Sequence, residues 1–298
     1  MASIVGSAGS DSLTGTSSAD SIDGLAGDDI LAGGLGNDTL NGGAGYDIAD
    51  YSNAGGPVMV DLAAGTASGA AGNDVLISIE DVWGSNFDDI LIGNALDNIL
   101  WDDQGNDTLA GGLGDDTMEG GAGIDTALYV GHQAAYAIAY LGFGYVFSGP
   151  EGTDMLFGIE RVRFADTNRA LDLGPGEAAG NTVKIIGAAF GAPAIQAHPD
   201  YVGIGLDLFD SGVSVLAVCQ AAVDAMGSPT DEAFVNTVYA NVVGVLPSAE
   251  AHDRYVGMLR GSGGSLSQAE LLQFAADSEA NAININLVGL QQAGVEFA

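Results

Sequence analysis

Cut in nines from Gly6, the chain reads GSAGSDSLT, GTSSADSID, GLAGDDILA, GGLGNDTLN, GGAGYDIAD, ending at Asp50. Cut again from Gly84, it reads GSNFDDILI, GNALDNILW, DDQGNDTLA, GGLGDDTME, GGAGIDTAL, ending at Leu128. The eighth position is apolar in all ten nonapeptides: Leu13, Ile22, Leu31, Leu40, Ala49, Leu91, Leu100, Leu109, Met118 and Ala127. The last three residues of each nonapeptide read as a short strand whose middle side chain points inward, so stacked turns would build a thin continuous core. Glycine-rich stretches between the strands let the backbone turn tightly through positive φ.

Each array is followed by a segment of period two with matching landmarks. Tyr51 recurs as Tyr129; Val58, Val60 and Leu62 match Tyr136, Ile138 and Tyr140; GNDVLISIEDV from Gly72 matches GTDMLFGIERV from Gly152. These read as strands that extend or cap each array. Beyond GPGEAAG, residues 174–180, helical periodicity replaces the nonapeptides. Ser228 before Pro229 reads as an N-cap, and Ser267 with Glu270 as a capping box. Phe234, Val235, Val238, Tyr239 and Val242 fall on one helical face. A second repeat runs through this part: AHPDYVG from Ala197 matches AHDRYVG from Ala251, and VSVLAVCQAAVD from Val213 matches LSQAELLQFAAD from Leu266. That register aligns Cys219 with Leu272, which predicts a buried apolar position, and His198 with His252, which predicts a shared structural role near a helix start.

Charge changes the picture. The chain carries 40 Asp plus Glu against 6 Lys plus Arg, a net charge of −34, which disfavours nucleic acid and anionic membrane as partners. The first basic residue is Arg161, so the stretch before it has no Lys or Arg of its own with which to form a neutralising salt bridge. Arg161, Arg163 and Arg169 are expected as structural partners for nearby carboxylates. The acidic residues are periodic. The sixth position of the nonapeptide is Asp11, Asp20, Asp29, Asp38 and Asp47 in the first array and Asp89, Asn98, Asp107, Asp116 and Asp125 in the second. An Asp supplies a hard anionic oxygen, and glycine lets carbonyl oxygens approach a cation; oxygen donors in a Gly-rich loop select calcium over zinc or copper. The candidate loop glycines are Gly24, Gly27, Gly33, Gly36, Gly42 and Gly45, then Gly105, Gly111, Gly114, Gly120 and Gly123. One cysteine excludes an intramolecular disulfide, and no HExxH, GxSxG or phosphate-loop motif is present, so the chain is expected not to be an enzyme. No apolar run approaches the ~18 residues of a membrane helix, and no N-terminal apolar leader is evident.

The repeats GGLGNDTLN, GGAGYDIAD, GGLGDDTME and GGAGIDTAL resemble the RTX, or hemolysin-type, nonapeptide of proteins exported by type I secretion from Gram-negative bacteria. The resemblance implies a parallel β-roll with two nonapeptides per turn and several calcium ions, each between loops n and n+2. Asp11, Asp29 and Asp47 would then line one side of a first roll, with Asp20 and Asp38 on the other. Asp89, Asp107 and Asp125 would oppose Asn98 and Asp116 in a second. Ser18, Phe87 and Leu96 replace one motif glycine and Asp102 replaces another, which weakens sites that use the first two repeats of each array. The helical repeat resembles a tandem module of unknown function that often follows RTX arrays, with Val202 and Val256 where that module has an aromatic. The last residues, NAININLVGLQQAGVEFA, fall where an uncleaved type I export signal would lie.

The expected fold is therefore multidomain, β plus α: a first β-roll with its strand extension over 6–83, a second over 84–173, a linker over 174–180 and an all-α domain over 181–298. The expected function is that of a secreted calcium-binding structural protein, at the cell surface or beyond it, that self-associates into a surface layer (S-layer), extracellular matrix or filament. Its partners would be itself and the type I secretion machinery, because array and helical repeat leave no stretch for a catalytic domain. A calcium-dependent adhesin that binds cell-surface glycan through the helical repeat is the alternative.

Overall fold

Nonapeptide strands are three residues long because only the eighth position is committed to the interior. They are β2 (Ser12–Thr14), β3 (Ser21–Asp23), β4 (Ile30–Ala32), β5 (Thr39–Asn41) and β6 (Ile48–Asp50), preceded by β1 (Ser3–Val5). The second array supplies β11 (Ile90–Ile92), β12 (Ile99–Trp101), β13 (Thr108–Ala110), β14 (Thr117–Glu119) and β15 (Thr126–Leu128). Between them lie β7 (Val58–Asp61), β8 (Thr66–Gly69), β9 (Gly72–Ile77) and β10 (Asp81–Trp83). After the second array come β16 (Ala137–Tyr140), β17 (Tyr145–Gly149), β18 (Gly152–Phe157) and β19 (Arg161–Arg163). This computed structural model describes residues 2–260 and 266–298; residues 261–265 of the expected helical domain lie outside the described residues. The chain divides into two units, Met1–Thr167 and Asn168–Ala298.

In the first unit, each nonapeptide strand pairs in parallel with the next but one: Ile22 faces Leu40 and Leu31 faces Ala49, giving two nonapeptides per turn and two sheets. Every eighth-position side chain except Leu13 in the first turn is fully buried. The expected break at 83/84 is absent. One sheet passes from β6 through β10 to β12, with Val82 paired to both Ala49 and Leu100. In the other, β9 stacks on β5, the antiparallel set β9–β8–β7 follows, and β11 stacks on β7. The two arrays thus form one continuous roll, because Val60 and Val82 supply the inward apolar residue that a nonapeptide would have supplied. The duplicated set changes sheets: β9 pairs with β5, its counterpart β18 with β14, which lies in the opposite sheet.

The second unit starts earlier than expected. Its strand β20 (Asn168–Ala170) pairs antiparallel with β21 (Val295–Phe297), so the C-terminal segment is part of this fold and Val295 is buried. The expected linker runs straight into α1 (Ala178–Phe190). There follow α2 (Pro193–Ala197), α3 (Pro199–Asp210), α4 (Val215–Ala225), α5 (Asp231–Val243), α6 (Ala249–Arg260), α7 (Gln268–Ala276), α8 (Glu279–Asn284) and α9 (Leu287–Ala293). The sequence repeat appears as α3–α4 against α6–α7, with Cys219 and Leu272 both fully buried in one apolar cluster together with Phe234, Val235, Val238 and Val242. His198 precedes α3 and stacks on Tyr201 at 4.5 Å, while His252 lies in the first turn of α6. The capping box at Ser267 and Glu270 is formed. The N-cap expected at Ser228 is not: Ser228 has φ +49°, and its N–H closes the preceding helix on Val223 O, so Thr230 caps α5 by accepting from Ala233 N.

Candidate metal sites

The stacking of turns brings the sixth-position residues of alternate nonapeptides into rows along each edge of the roll. Within a row, each carboxylate after the first uses one oxygen, Oδ1, to accept the backbone N–H of the sixth-position residue one turn back. Asp11 N donates to Asp29 Oδ1 at 2.8 Å and Asp29 N to Asp47 Oδ1 at 2.9 Å. Asp20 N donates to Asp38 Oδ1 at 2.7 Å. In the second array Asp89 N reaches Asp107 Oδ1, Asp107 N reaches Asp125 Oδ1, both at 2.8 Å, and Asn98 N reaches Asp116 Oδ1 at 2.9 Å. All ten predicted sixth-position residues therefore stand in the rows.

What distinguishes them is the second oxygen. Oδ2 of Asp29, Asp38, Asp47, Asp107, Asp116 and Asp125 is buried without any hydrogen-bond partner. The row beginnings are different. Ser7 N donates to Asp11, Ala2 N and Thr16 N and Oγ1 to Asp20, and Ser85 N and Oγ with Val58 N to Asp89. Asn98 accepts from Asn94 N and donates to Glu80 O. The rows also end on residues that the nonapeptide period did not reveal. Asp38 N donates to Asp74 Oδ1 and Asp116 N to Asp154 Oδ1, beyond the reach of two nonapeptides. Asp47 N and Asp125 N donate to Glu80 and Glu160. The Tyr51 hydroxyl then donates to Asp74 Oδ2 at 3.0 Å, and the Tyr129 hydroxyl to Asp154 Oδ2 at 2.9 Å. The matched tyrosines and the matched GNDVLISIE and GTDMLFGIE segments were visible in sequence, and their shared carboxylates are the signal for these row ends. A second ladder, also missed, uses the fifth position: Asp28 Oδ1 accepts from Tyr46 N and Asp97 Oδ1 from Asp115 N.

Glycines shape the cradle. A Cβ added at Gly120 would lie 2.7 Å from Asp125 Oδ2, and one at Gly24 or Gly33 would strike the carboxylate of Asp29 or Asp38, so in these repeats the bare first position leaves the room into which the Asp folds back. The fourth position takes positive φ, +138° at Gly36 and +124° at Gly114, while Ser18, Phe87 and Leu96 at that position do not. Those substitutions fall in the loops whose carboxylates or amide are already satisfied by protein donors.

Desolvation dominates the electrostatics. Burial pushes the Asp107 carboxyl up to about 6 and those of Asp116 and Asp125 up to about 7, with neighbouring carboxylates acting in the same direction. Burial also raises Asp38, Asp47, Asp74, Asp154 and Glu80. Asp20, by contrast, is held below the usual carboxylate range, first by the Ala2 N–H and then by Thr16. A buried carboxylate oxygen with no donor is costly unless a cation meets it. With oxygen the only donor type in the rows, these residues fit a hard divalent ion of calcium's size. Bound there, calcium supplies positive charge to the paired rows.

Residues 3–31, 14–49, 83–118 and 92–127 match the family described as RTX calcium-binding nonapeptide repeat, four copies. Both arrays are thus RTX repeats, and calcium is their ion. Among solved structures, the chain is similar to the extracellular lipase LipA from Serratia marcescens at 20% identity over 53% of this chain, with a TM-score of 0.22. The chain spans 37% of that lipase's length. None of the curated proteins matches this chain. Among the described residues no helix is long and apolar enough to cross a membrane.

Proposed function

We propose that this chain is a secreted structural protein that leaves a Gram-negative cell through type I machinery with its roll unfolded, folds on meeting extracellular calcium, and associates with copies of itself into a layer, matrix or filament. The observation that carries the reading is the set of six buried row carboxylates, Asp29, Asp38, Asp47, Asp107, Asp116 and Asp125, each with one oxygen unpartnered. They act as calcium ligands together with the loop glycines that clear space for them. Without the ion the rows repel themselves, because no Lys or Arg precedes Arg161. In cytosol, where calcium lies far below the ~10⁻⁴ to 10⁻³ M affinities of extracellular modules, the roll stays unfolded and exportable.

The helical unit supports a scaffold rather than a catalyst. Cys219 is fully buried and its thiol is pushed up to about 12 by burial. His198 and His252 each face a neighbouring carboxylate, Asp200 and Asp253, as His132 of the first unit faces Asp166. Arg161 donates to Glu160 O and Arg169 to the carbonyls of Ala293 and Gly294, a structural use of the first basic residues. Calcium titration of the purified protein, followed at once by far-UV circular dichroism and light scattering, tests folding and assembly together. Calcium is expected to produce a β spectrum and then scattering, with electron microscopy showing ordered assemblies. A spectrum that ignores calcium would refute the folding reading, and a monodisperse calcium-loaded monomer would refute the assembly reading.

A further inference from the structure

Asp102 stands at the first position of its nonapeptide, DDQGNDTLA, where Gly24, Gly33, Gly111 and Gly120 leave room for the carboxylate of their own repeat. It is 1% exposed, so a further buried carboxylate enters the roll beside Asp107. Its Oδ1 accepts from the adjacent Asp103 N at 3.1 Å, and its Oδ2 is buried with no partner, as is Oδ2 of Asp107. Asp89 closes the group from the preceding turn. One carboxylate oxygen from each of Asp89, Asp102 and Asp107 lies within 4.8 Å of the others.

That separation has a physical meaning. Oxygens that ligate one calcium at about 2.3–2.6 Å can stand no further apart than about 4.6–5.2 Å, a limit that these three oxygens meet. Asp89 already accepts from Val58 and Ser85, yet a carboxylate has about four lone-pair sites and can ligate as well. No Lys or Arg precedes Arg161, so the roll's own repeats hold no side-chain cation to take the ion's place. All donors are hard oxygens, with no imidazole or thiolate in the group. An open cleft lined by Ser52, Trp83, Gly84, Trp101, Asp102 and Asp103 adjoins the group on the Asp102 side.

We propose that Asp89, Asp102 and Asp107 form a three-carboxylate calcium site, different in composition from those built on sixth-position carboxylates alone, and that its extra charge makes it the tightest in the roll. The proposal rests on the calcium-binding reading of the repeats and deepens it: the lost glycine at 102, which on spacing alone weakens a site, instead adds a ligand. Affinity in oxygen-ligand sites rises with the number of charged ligands, so this site fills first as calcium increases.

The chain's two tryptophans, Trp83 and Trp101, flank the cleft with ring centroids 6.5 Å apart. Terbium, a calcium-like cation that luminesces when a nearby indole is excited, therefore reports on this site above the others. The experiment is a terbium titration of the full chain with excitation at the red edge of the tryptophan band, followed by displacement with calcium. Asp102→Gly restores the glycine of the repeat; it is expected to weaken the tryptophan-sensitised binding by at least about tenfold while calcium-driven folding, read by circular dichroism, survives. Asp102→Asn keeps size and one oxygen but not charge and is expected to fall between; it decides the matter should the glycine variant fail to fold. Wild-type titration curves in Asp102→Asn and in any folded Asp102→Gly would overturn the assignment even with calcium-driven folding intact. A wild-type protein whose spectrum ignores calcium would refute the reading of the repeats, and the luminescence titration would still judge Asp102 by itself.

Discussion

Past the start of each row, a sixth-position aspartate divides its work between two oxygens. Oδ1 holds the neighbouring turn through a backbone N–H, and Oδ2 stands free inside the protein. The division ranks the residues. Asp47→Ala and Asp125→Ala should each lower the number of calcium ions bound in calorimetry by one and lower the calcium-loaded melting temperature. Asp20→Ala should cost fewer ions, because Ala2 N and Thr16 already satisfy that carboxylate; equal calcium losses at all three positions would contradict the ranking. The same burial sets a pH dependence. The Asp107, Asp116 and Asp125 carboxyls titrate at about 6 to 7 in the fold, against about 4 in the unfolded chain. A raised folded value means that the native state holds more protons, so the apo roll is favoured below about pH 4 and loses that contribution as pH rises through 6 to 7. Calcium-free protein should therefore show more β structure in far-UV circular dichroism at pH 5 than at pH 8, and calcium should add more of it at pH 8, where no protons compete for the ligands. A calcium-free β signal that grows from pH 5 to pH 8 would be inconsistent with the buried rows.

At the scale of the element, legibility followed period. Leu31, Leu40, Leu109 and Met118 announced a strand centre in every nonapeptide, and each is fully buried in one. The strands outside the arrays were legible as strands but not as turns of the same roll. Asp74 takes the place after Asp38 in its row although the hairpin β7–β8 is inserted between them, and an insertion hides a register that pairing restores. β1 was missed for a simpler reason: Ser3–Val5 has no nonapeptide loop in front of it. Asp102 reads as a flaw in the motif because the motif describes side chains one position at a time, whereas its carboxylate stands with Asp107 of its own repeat and Asp89 of the preceding turn. In the helical unit the Ser-Pro pair misled, since a proline before a helix marks its first turn only when the preceding residue is extended; Ser228 is left-handed and Thr230 takes the cap. Thr230→Ala should accordingly destabilise the helical unit by about 1 kcal/mol in urea unfolding followed by circular dichroism. Ser228→Gly should cost nothing or stabilise slightly, because glycine adopts positive φ without a Cβ penalty. The opposite order would return the cap to Ser228.

For the whole molecule, the two units draw on different sources of stability. If six row sites fill and free calcium stands tenfold above the dissociation constant, each site contributes about 1.4 kcal/mol and the set about 8 kcal/mol, as much as a typical domain's net stability. The helical unit instead rests on apolar clusters around Phe234 and Leu272 and around Val183, Val202 and Leu206. Protease added in chelator should thus digest residues up to about Thr167 and leave a resistant fragment from about Asn168 onward; simultaneous loss of both would mean that calcium sustains the helices too. The assembly proposed above would use the N-terminal strand edges of the roll. Among the described residues β1 and β2 end the two sheets, and residues 7–21 contain eight Ser or Thr and no Lys or Pro, so the devices that block an open strand edge are missing. The unused hydrogen-bonding groups can be named. Ala2 O and Gly6 N bond to β3, and Asp11 O and Gly15 N to β4, so along each strand the alternate residues Ser3 and Val5, and Ser12 and Thr14, direct their N–H groups outward. A copy that docks on these groups by a different surface of its own makes a heterologous contact, which propagates as a filament or sheet unless it closes a ring. The double variant Val5→Pro with Thr14→Pro removes one outward donor from each edge and touches neither inward ladder. It should fold with calcium like the parent by circular dichroism and stay monomeric in light scattering, whereas undiminished scattering would move the interface off this edge.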